Sequence, residues 1–435
     1  MLTDTDSIQS AVAKIIEEMA DELELDLGDA IDPNTRLIAD LGFASVDFIH
    51  LFVELESHFQ CKMGFHELIM PDGKYVDDLA VSGLVAFIQR RQAGHLPSMP
   101  TRNFPRVSGP PRHASEPSLT REDVDRFLAL MPSVEQWGRF PEPEKRNPPV
   151  VFVLSAPRSG STLLRIILAG NPALFAPPEL HLLYYSTMAQ RHQALSNKWN
   201  EHLLSGTVRA LMHLRSSSAE EVETFMRSCE GRHMPTQEFY RVLQQMLGPR
   251  LLVDKTPTYT YHPRVLQRAE RDFESPLYLH LVRHPCGMMR SFEDAKFEQL
   301  VPFMRESGIA RRRLAELTWL ISNRNIAAFQ ATVPSERFFR IRYEDLVQKP
   351  EPVVRAICDF LKIPFVHEML DPYNDQSERM TDGLKFAAEY SGDLKFHLHS
   401  RIEPDAAERW RNFDSEQSLS TLSRELAASF GYLDL

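Results

Sequence analysis

Residues 149–170 constrain the fold of this chain more than any other stretch. Val150 to Leu154 form an uninterrupted apolar run, which is typical of a strand buried on both faces of a parallel sheet. Residues 155–160 are small and turn-forming, and Thr162 to Ala169 have a helical pattern that ends at Gly170. A strand, a tight loop and a helix in this order direct backbone N–H groups and a positive helix end to one point. The stretch therefore predicts a loop that binds a phosphate or a sulfate.

The side chains of this loop suit an anion but do not form a Walker A motif. Arg158 offers a positive fork, and hydroxyl donors are supplied by Ser159, Ser161 and Thr162. A Walker A loop requires G-x-x-x-x-G-K-[ST], whose first glycine and lysine are both missing here. Hydrolysis of a nucleoside triphosphate is therefore not favoured. An ordinary strand-to-helix turn without a ligand is the alternative interpretation.

The run Pro157-Arg158-Ser159-Gly160-Ser161-Thr162 resembles the 5′-phosphosulfate loop of sulfotransferases that use 3′-phosphoadenosine 5′-phosphosulfate (PAPS). In particular, it is similar to the form found in bacterial and Golgi-type members. The resemblance implies PAPS as the donor, 3′-phosphoadenosine 5′-phosphate (PAP) as the product, and a P-loop-type parallel sheet flanked by helices. The donor-binding positions in this stretch would be Arg158, Ser159, Gly160, Ser161 and Thr162. Arg158 would also be catalytic, because it would stabilise the departing phosphate oxygen together with the loop N–H groups.

An acid and a histidine follow the first helix of this unit. Sulfuryl transfer to a hydroxyl needs a base that takes the hydroxyl proton. Glu179 or His181 could be that base, and in sulfotransferases with this loop form the base is a glutamate at a similar distance, which Glu179 fits. His181 could share the role or orient the acceptor. A surface role for Glu179 and a structural role for His181 are the alternatives.

Two later strand ends extend the same resemblance. Leu251 to Val253 lead into Asp254-Lys255, as in the Asp-Lys-[ST]-Pro segment of these enzymes, and this implies that Lys255 neutralises charge on the bridging oxygen. Taken alone, the run ending in Asp254 would also suit a Walker B strand. The strand 277–282 leads into Arg283, with Ser291 eight residues later, and this layout is similar to the 3′-phosphate-binding segment.

The last part of the chain adds a candidate adenine contact. Arg342-Tyr343-Glu344-Asp345-Leu346 is a recurring sulfotransferase signature, and the resemblance places Tyr343 near the adenine, although a core role is equally open. In the family a C-terminal loop closes over the nucleotide. Some of the basic residues of 383–403 would do so here, with the choice left open among Lys395, His397, His399 and Arg401.

The first 90 residues or so have a different character. Apolar residues at helical spacing predict helices over 5–20, from Ser45 to Phe59, and over 81–89. The pattern Leu41-Gly42-x-x-Ser45-x-Asp47 resembles an acyl or peptidyl carrier protein, a small all-α four-helix domain. This implies a 4′-phosphopantetheine arm on Ser45, added by a separate phosphopantetheinyl transferase. The usual Asp-Ser-Leu is Ala44-Ser45-Val46 here, and a plain helix N-cap is the alternative role of Ser45.

Composition and charge support this division. Residues 1–95 contain 18 acidic and 6 basic residues, a net charge of −12, so the whole excess behind the chain's net charge of −11 lies there. A small acidic domain beside a near-neutral one suggests docking and argues against nucleic-acid binding. The four cysteines have no metal-ligand spacing, so no metal is expected. No signal-peptide core and no membrane-length apolar run occurs, which predicts a cytoplasmic protein without a membrane partner.

The predicted organisation is a carrier domain over 1–93, a Pro-rich linker over 94–118, and a PAPS-dependent sulfotransferase domain over 119–435. The expected acceptor is a β-hydroxyacyl chain on the Ser45 arm, supplied by a polyketide synthase or a related biosynthetic module. A free small-molecule or lipid hydroxyl, with the carrier as a docking module, is one alternative. A phosphoryl-transfer enzyme and an inactive scaffold are the others.

Overall fold

A computed structural model of the chain describes two compact units, one before residue 94 and one from residue 119 onward. The described residues are 5–22, 31–41, 43, 45–59, 63, 65, 68, 78–93, 119–132, 140, 142–197, 200–375, 377–381, 401–412 and 419–432. The predicted domain boundaries and the linker over 94–118 lie largely outside these ranges and stay predictions.

The first unit is helical, as its periodicity predicts. Its described helices are α1 (Thr5–Glu22), α2 (Ser45–Phe59) and α3 (Val81–Ala93). Their apolar faces meet in one core, in which Phe52 stacks on Phe65 with ring centroids 4.5 Å apart. The region of the fourth helix of a carrier domain lies outside the described residues, apart from Leu68.

The segment that leads into α2 is held by backbone pairing. The amide of Leu37 donates to Leu79 O at 2.9 Å, and the Asp78 carboxylate accepts from the amides of Ile38 and Ala39. Leu37 itself is fully buried. These bonds fix the chain a few residues before Ser45, which is the first residue of α2. The side chain of Ser45 is outside the described part of the structure.

The second unit contains a parallel five-stranded sheet. The strands are β1 (Val150–Leu154), β2 (Leu174–Phe175), β3 (Leu251–Lys255), β4 (Leu277–Val282) and β5 (Phe338–Arg342). Their order is β2-β3-β1-β4-β5, and every pairing is parallel. The predicted central position of β1 is confirmed, and all five of its residues are buried. The short edge strand β2 was not predicted.

Helices cover the sheet, and their bounds follow in chain order. They are α4 (Arg121–Leu130), α5 (Ser161–Ala169), α6 (Met188–Leu195), α7 (Ser205–Arg215), α8 (Ala219–Gly231), α9 (Thr236–Leu247), α10 (Pro263–Asp272), α11 (Pro285–Asp294), α12 (Pro302–Arg305), α13 (Arg311–Gln330), α14 (Tyr343–Gln348), α15 (Pro350–Leu361) and α16 (Thr421–Ser429). Short 3₁₀ turns cover Glu201–Leu204, Pro257–Tyr261, Phe297–Leu300, Ser335–Arg337, His367–Leu370, Pro404–Ala407 and Arg409–Asn412.

Apolar side chains on alternating positions of β1 pack on opposite faces of the sheet. Val150, Phe152 and Leu154 belong to one core, and Val151 and Val153 belong to the other. This alternation follows from the two-residue period of a strand, and it explains why the run is apolar throughout. The fold class, a parallel α/β sheet flanked by helices and preceded by a helical unit, is as predicted.

No helix in the described ranges is long and apolar enough to cross a membrane.

Candidate functional site

The loop after β1 has the backbone of an anion-binding turn. Arg158 has φ of 64° and Gly160 has φ of 90°, so two residues of the loop lie in the left-handed region before α5 begins at Ser161. Gly160 is the N-cap of α5 and has no side chain with which to cap it. The first-turn amides of α5 therefore have no side-chain cap. These amides and the positive end of the helix dipole are available to bind an anion in the loop. Thr162 lies in this first turn, half-buried.

Buried hydroxyls line the same loop. The Oγ atoms of Ser155 and Ser159 are buried and have no hydrogen-bond partner within the described part of the chain. Buried polar groups are normally paired, because an unpaired hydroxyl costs roughly 1–3 kcal/mol. An anion seated in the loop would supply the acceptor that these hydroxyls lack. The loop therefore fits a sulfate or a phosphate group.

Tyr343 closes one side of the loop. A Cβ atom added to Gly160 would lie 2.5 Å from two ring carbons of Tyr343, so only glycine fits at this position. The guanidinium carbon of Arg283 lies 4.4 Å from the centroid of the Tyr343 ring, and Arg283 Nη1 donates to Arg158 O at 3.0 Å. The structure thus brings Arg283 and Tyr343, which come from different strand ends, against the predicted anion loop.

The helix after Arg283 carries the predicted Ser291. A Cβ atom on Gly287 would lie 3.2 Å from Arg283 Nε, so this face of α11 meets Arg283. Ser291 is one helical turn beyond Gly287 and therefore on the same face, and it is half-buried. Ser291 accordingly lies on the side of α11 that faces Arg283.

An aromatic stack beside this region was not predicted. His284 stacks on Trp410 with ring centroids 3.8 Å apart and an interplanar angle of 13°. The His284 amide donates to Glu344 Oε1 at 2.9 Å, and the Tyr432 hydroxyl donates to Glu344 Oε2 at 2.6 Å. The stack joins the end of β4 to the C-terminal segment 401–412. Its members are far apart in the chain, and no local pattern identifies them.

The predicted base and the predicted lysine form an ion pair. Lys255 Nζ lies 2.6 Å from Glu179 Oε1, and His181 Nε2 lies 3.2 Å from Glu179 Oε2. The Lys255 side chain is 2% exposed and the Glu179 side chain is 31% exposed. The lysine is therefore enclosed, whereas one side of the carboxylate can be reached by an acceptor.

The electrostatics of this cluster keep Glu179 ionised. Burial would raise the pKa of Glu179, but Lys255, followed by His181, holds that pKa well below its usual range. Burial lowers the pKa of Lys255, and the Glu179 carboxylate opposes this effect. An ionised carboxylate beside a lysine is an arrangement that can accept a proton and stabilise negative charge in one step.

Neighbouring strands explain why these groups meet. Val153 of β1 pairs with Lys255 of β3, so Lys255 lies beside the start of the anion loop. Because all five strands are parallel, their carboxyl ends lie at one edge of the sheet, and the polar residues that follow them converge there. Glu179 is brought to this edge by the chain that follows β2.

Two residues that support Glu179 were missed from the sequence. A Cβ atom on Gly206, at the start of α7, would lie 2.0 Å from Glu179 O, so only glycine allows this approach. Arg165 of α5 is 1% exposed and donates to Ala176 O at 2.9 Å. The apolar pattern of α5 gave no reason to expect a buried arginine.

Some predicted site residues stay predictions. Ser45 belongs to the other unit. Lys395, His397 and His399 lie outside the described residues, and Arg401 is described as exposed. No group of three or more histidine, cysteine, aspartate or glutamate side chains that could hold a metal ion occurs within the described residues.

Family models match both units of the chain. A model described as "Sulfotransferase family" matches residues 149–367, and a second, described as "Sulfotransferase domain", matches residues 324–412. The model described as "Phosphopantetheine attachment site" matches residues 13–70. The first two models cover the anion loop, the Glu179–Lys255 pair and the strand ends that surround them. The third confirms the carrier resemblance of the helical unit.

Solved structures agree with these matches. The chain is 38% identical to the "Sulfotransferase Domain from the Curacin Biosynthetic Pathway", with a TM-score of 0.62, over 66% of this chain and 99% of that one. It is 37% identical to the "Sulfotransferase Domain from the Synechococcus PCC 7002 Olefin Synthase", with a TM-score of 0.61, over 68% of this chain and 99% of that one. A search of curated proteins found no match. The chain is therefore a sulfotransferase that carries an N-terminal phosphopantetheine-attachment domain, and it belongs to the sulfotransferase family.

Proposed function

We propose that the larger unit transfers a sulfuryl group from PAPS to a hydroxyl of a β-hydroxyacyl chain, which a 4′-phosphopantetheine arm on Ser45 carries. The observation that carries this proposal is the Glu179–Lys255 pair, a half-buried glutamate paired with an enclosed lysine, beside an anion loop. The relatives from the curacin pathway and the olefin synthase support a biosynthetic setting of this kind.

The donor would lie across the carboxyl edge of the sheet. We assign the 5′-phosphosulfate to the loop, where the contacts come from Arg158, Ser159, the Gly160 backbone, Ser161 and Thr162. The 3′-phosphate would meet Arg283, with Ser291 on the same side of α11. Tyr343, whose ring supports Arg283, would lie on the adenine side of the site.

The transfer is an in-line displacement at sulfur. The acceptor oxygen forms a bond to sulfur while the bond between sulfur and the bridging phosphosulfate oxygen breaks, and the electron pair stays on that oxygen. Glu179 takes the hydroxyl proton. As Glu179 becomes neutral, Lys255 loses its anionic partner and directs its charge to the bridging oxygen of the departing PAP. The enclosure of Lys255 makes this charge more effective than it would be in water.

His181 has a supporting part in this proposal. It lies on the opposite carboxylate oxygen from Lys255 and is 4% exposed. Its backbone has φ of 50°, a left-handed conformation that is uncommon for a residue other than glycine. Such strain is concentrated at functional sites, and here it aims the imidazole at Glu179. His181 would orient the carboxylate or share its proton.

The carrier unit would present the acceptor. Ser45 begins α2, where the positive helix end favours the phosphate of an attached arm. A separate phosphopantetheinyl transferase would add the arm, and a polyketide synthase or a related module would supply the acyl chain. Tethering raises the effective concentration of the acceptor without any new contact. The sulfate ester could then act as a leaving group in a later step on another protein.

The test is donor discrimination. The wild-type enzyme should transfer sulfuryl from PAPS much faster than from adenosine 5′-phosphosulfate, which lacks the 3′-phosphate. Arg283→Lys should weaken PAP binding roughly tenfold to hundredfold, because an ammonium cannot make the bidentate phosphate contact of a guanidinium. Arg121→Lys, at an exposed position of α4, serves as the matched control. Equal use of both donors would contradict the proposal.

A further inference from the structure

The chain around Glu179 is joined to the chain around Lys255 at several points. The two segments are 179–184 and 254–259, and each contact crosses between them. The contacts are Lys255 Nζ to Glu179 at 2.6 Å, the amides of Leu182 and Leu183 to the Tyr259 hydroxyl, and the Tyr184 hydroxyl to Thr258 O. The predicted base is therefore built into a framework that includes its cationic partner.

The Tyr259 hydroxyl is the centre of this framework. It accepts from Leu182 N at 2.8 Å and from Leu183 N at 3.2 Å, and it donates to Asp254 Oδ2 at 3.2 Å. The residue is 1% exposed. Because the oxygen receives two amide protons, its own proton is directed to the carboxylate. The Tyr259 hydroxyl thus accepts two hydrogen bonds and donates one.

Asp254 receives other hydroxyl donors as well. Tyr240 donates to Asp254 Oδ2, and Thr256 Oγ1 donates to Asp254 Oδ1 at 2.8 Å. Asp254 is 1% exposed and directly precedes Lys255 on β3. A buried carboxylate with these donors is fixed in its orientation, and it fixes the Tyr259 ring in turn.

These bonds form a closed path. From Lys255 the path crosses to Glu179, follows the chain through His181 to Leu182, crosses back at the Tyr259 hydroxyl, and returns through Asp254 to Lys255. Leu180 and His181 lie between the two crossings, and the backbone of His181 is left-handed. A shift of Leu182 and Leu183 would therefore move His181 and Glu179 relative to Lys255.

We infer that Tyr259, oriented by Asp254, is a positioning residue that holds Glu179 and His181 in register with Lys255. This inference rests on the proposed function, since it assumes that Glu179 takes the acceptor proton. Tyr259 has no contact with the reacting atoms in this account. Its hydroxyl acts through the backbone of residues 182–183. A displacement of about 1 Å at a catalytic group can lower a rate by a factor of about 100.

The test is Tyr259→Phe, which removes one oxygen and keeps the ring. We expect kcat for sulfuryl transfer, counted per PAP-binding site, to fall roughly tenfold to hundredfold, with the KM for PAPS unchanged. Asp254→Asn should also lower kcat and leave the KM for PAPS unchanged. Its amide group presents N–H donors where the carboxylate oxygen accepts the Tyr259 hydroxyl proton. Counting rate per PAP-binding site removes the effect of any unfolded fraction.

Tyr278→Phe is the matched control. Tyr278 is fully buried, and its hydroxyl donates to Glu270 at 2.7 Å near the amino end of β4, away from the carboxyl edge. Its loss removes a part-buried hydrogen bond from a tyrosine hydroxyl to a carboxylate and leaves the Glu179 framework intact. The Tyr278→Phe enzyme should keep the wild-type kcat per PAP-binding site.

Hydrogen exchange separates this inference from the proposed function. In Tyr259→Phe, a peptide that contains Leu182 and Leu183 should exchange its amides faster than in the wild type, and in Tyr278→Phe it should not. Unchanged exchange, or a kcat equal to that of the control, would overturn the positioning role. A wild-type protein without transfer activity would instead contradict the proposed function, and the exchange comparison would still decide whether Tyr259 holds the segment.

Discussion

Lys255 and Glu179 form an asymmetric ion pair, in which the ammonium is enclosed and the carboxylate opens to solvent. Their atoms are 2.6 Å apart, with side-chain exposures of 2% and 31%. The lysine cannot be hydrated when its partner is lost, whereas the glutamate can. Substitution of Glu179 should therefore lower the free energy of unfolding more than substitution of Lys255, although both changes break the same ion pair.

Glu179→Gln should lower kcat about 100-fold or more, because the amide cannot take a proton. It should also lower the free energy of unfolding by about 3 kcal/mol, since a buried cation is left without its counter-ion. Lys255→Met should cost less stability, because the remaining carboxylate reaches water. Steady-state rates with PAPS and urea unfolding check these values, with exposed Glu274→Gln as the control. A Glu179→Gln enzyme with the wild-type rate would show that another group is the base.

Gly206→Ala should displace Glu179 through a clash with its backbone carbonyl. The added methyl would meet the Glu179 carbonyl at 2.0 Å, so either α7 or residue 179 must move. We expect a loss of about 1–3 kcal/mol in the free energy of unfolding and a lower kcat. Gly231→Ala is the control, because it is also helical and its Cβ would meet nothing within 4 Å. Thermal melting and transfer rates compare the pair, and equal results for both would contradict the close approach.

Gly160→Ala should weaken donor binding. It combines a left-handed φ of 90° with a contact of 2.5 Å to the Tyr343 ring. Gly308→Ala supplies the control for the backbone strain of about 1–2 kcal/mol, since Gly308 has φ of 62° and open space around it. Calorimetric titration with PAP should show weaker binding only for Gly160→Ala. Normal PAP affinity in that variant would mean that the ring and the loop do not constrain each other.

The stability of the larger unit should fall in mild acid. Burial lowers the pKa of His280 to about 3, and the ring bonds Asn323 Oδ1 at 3.0 Å. The unfolded chain binds this proton near pH 6.5, so the stabilisation is complete above that pH and is lost as the pH falls, by up to about 1.4 kcal/mol per unit. Burial also lowers the pKa of His262 to about 4, which adds to the effect.

His280→Gln should flatten this dependence in part. The amide keeps a hydrogen bond to Asn323 and does not titrate between pH 5 and 7. Urea unfolding at several pH values should give a smaller slope for the variant than for the wild type, with the His262 contribution remaining. An unchanged slope would show that His280 is not protonated on unfolding in this range.

Much of the fold follows from local patterns in the sequence. Val150–Leu154 is apolar at every position because both faces of the central strand are covered, and this pattern needs no knowledge of its neighbours. The edge strand β2 has only Leu174 and Phe175, which is too short for any period to appear. Its place in the sheet depends on pairing with β3, a contact across more than seventy residues.

The residues of the candidate site likewise divide into those that the sequence predicts and those that it does not. Arg283, Lys255 and Tyr343 stand at strand ends, where parallel topology alone predicts convergence. Gly206 and Tyr259 act through contacts with the backbone around Glu179, and nothing in their own neighbourhoods indicates this. A glycine near a helix start and a tyrosine in a short turn are common, so their roles became visible only in three dimensions.

The central claim is that sulfation occurs on a chain tethered to Ser45. The most direct test is the intact mass of the protein after phosphopantetheinyl transferase has loaded it with a β-hydroxyacyl arm from the corresponding acyl-CoA and PAPS has then been added. We expect an arm-sized gain that Ser45→Ala abolishes, followed by the mass of one sulfuryl group on the hydroxyacyl form and none on a matched acyl form without the hydroxyl. A loaded hydroxyacyl form that never gains this mass, in a protein that binds PAP, would contradict it.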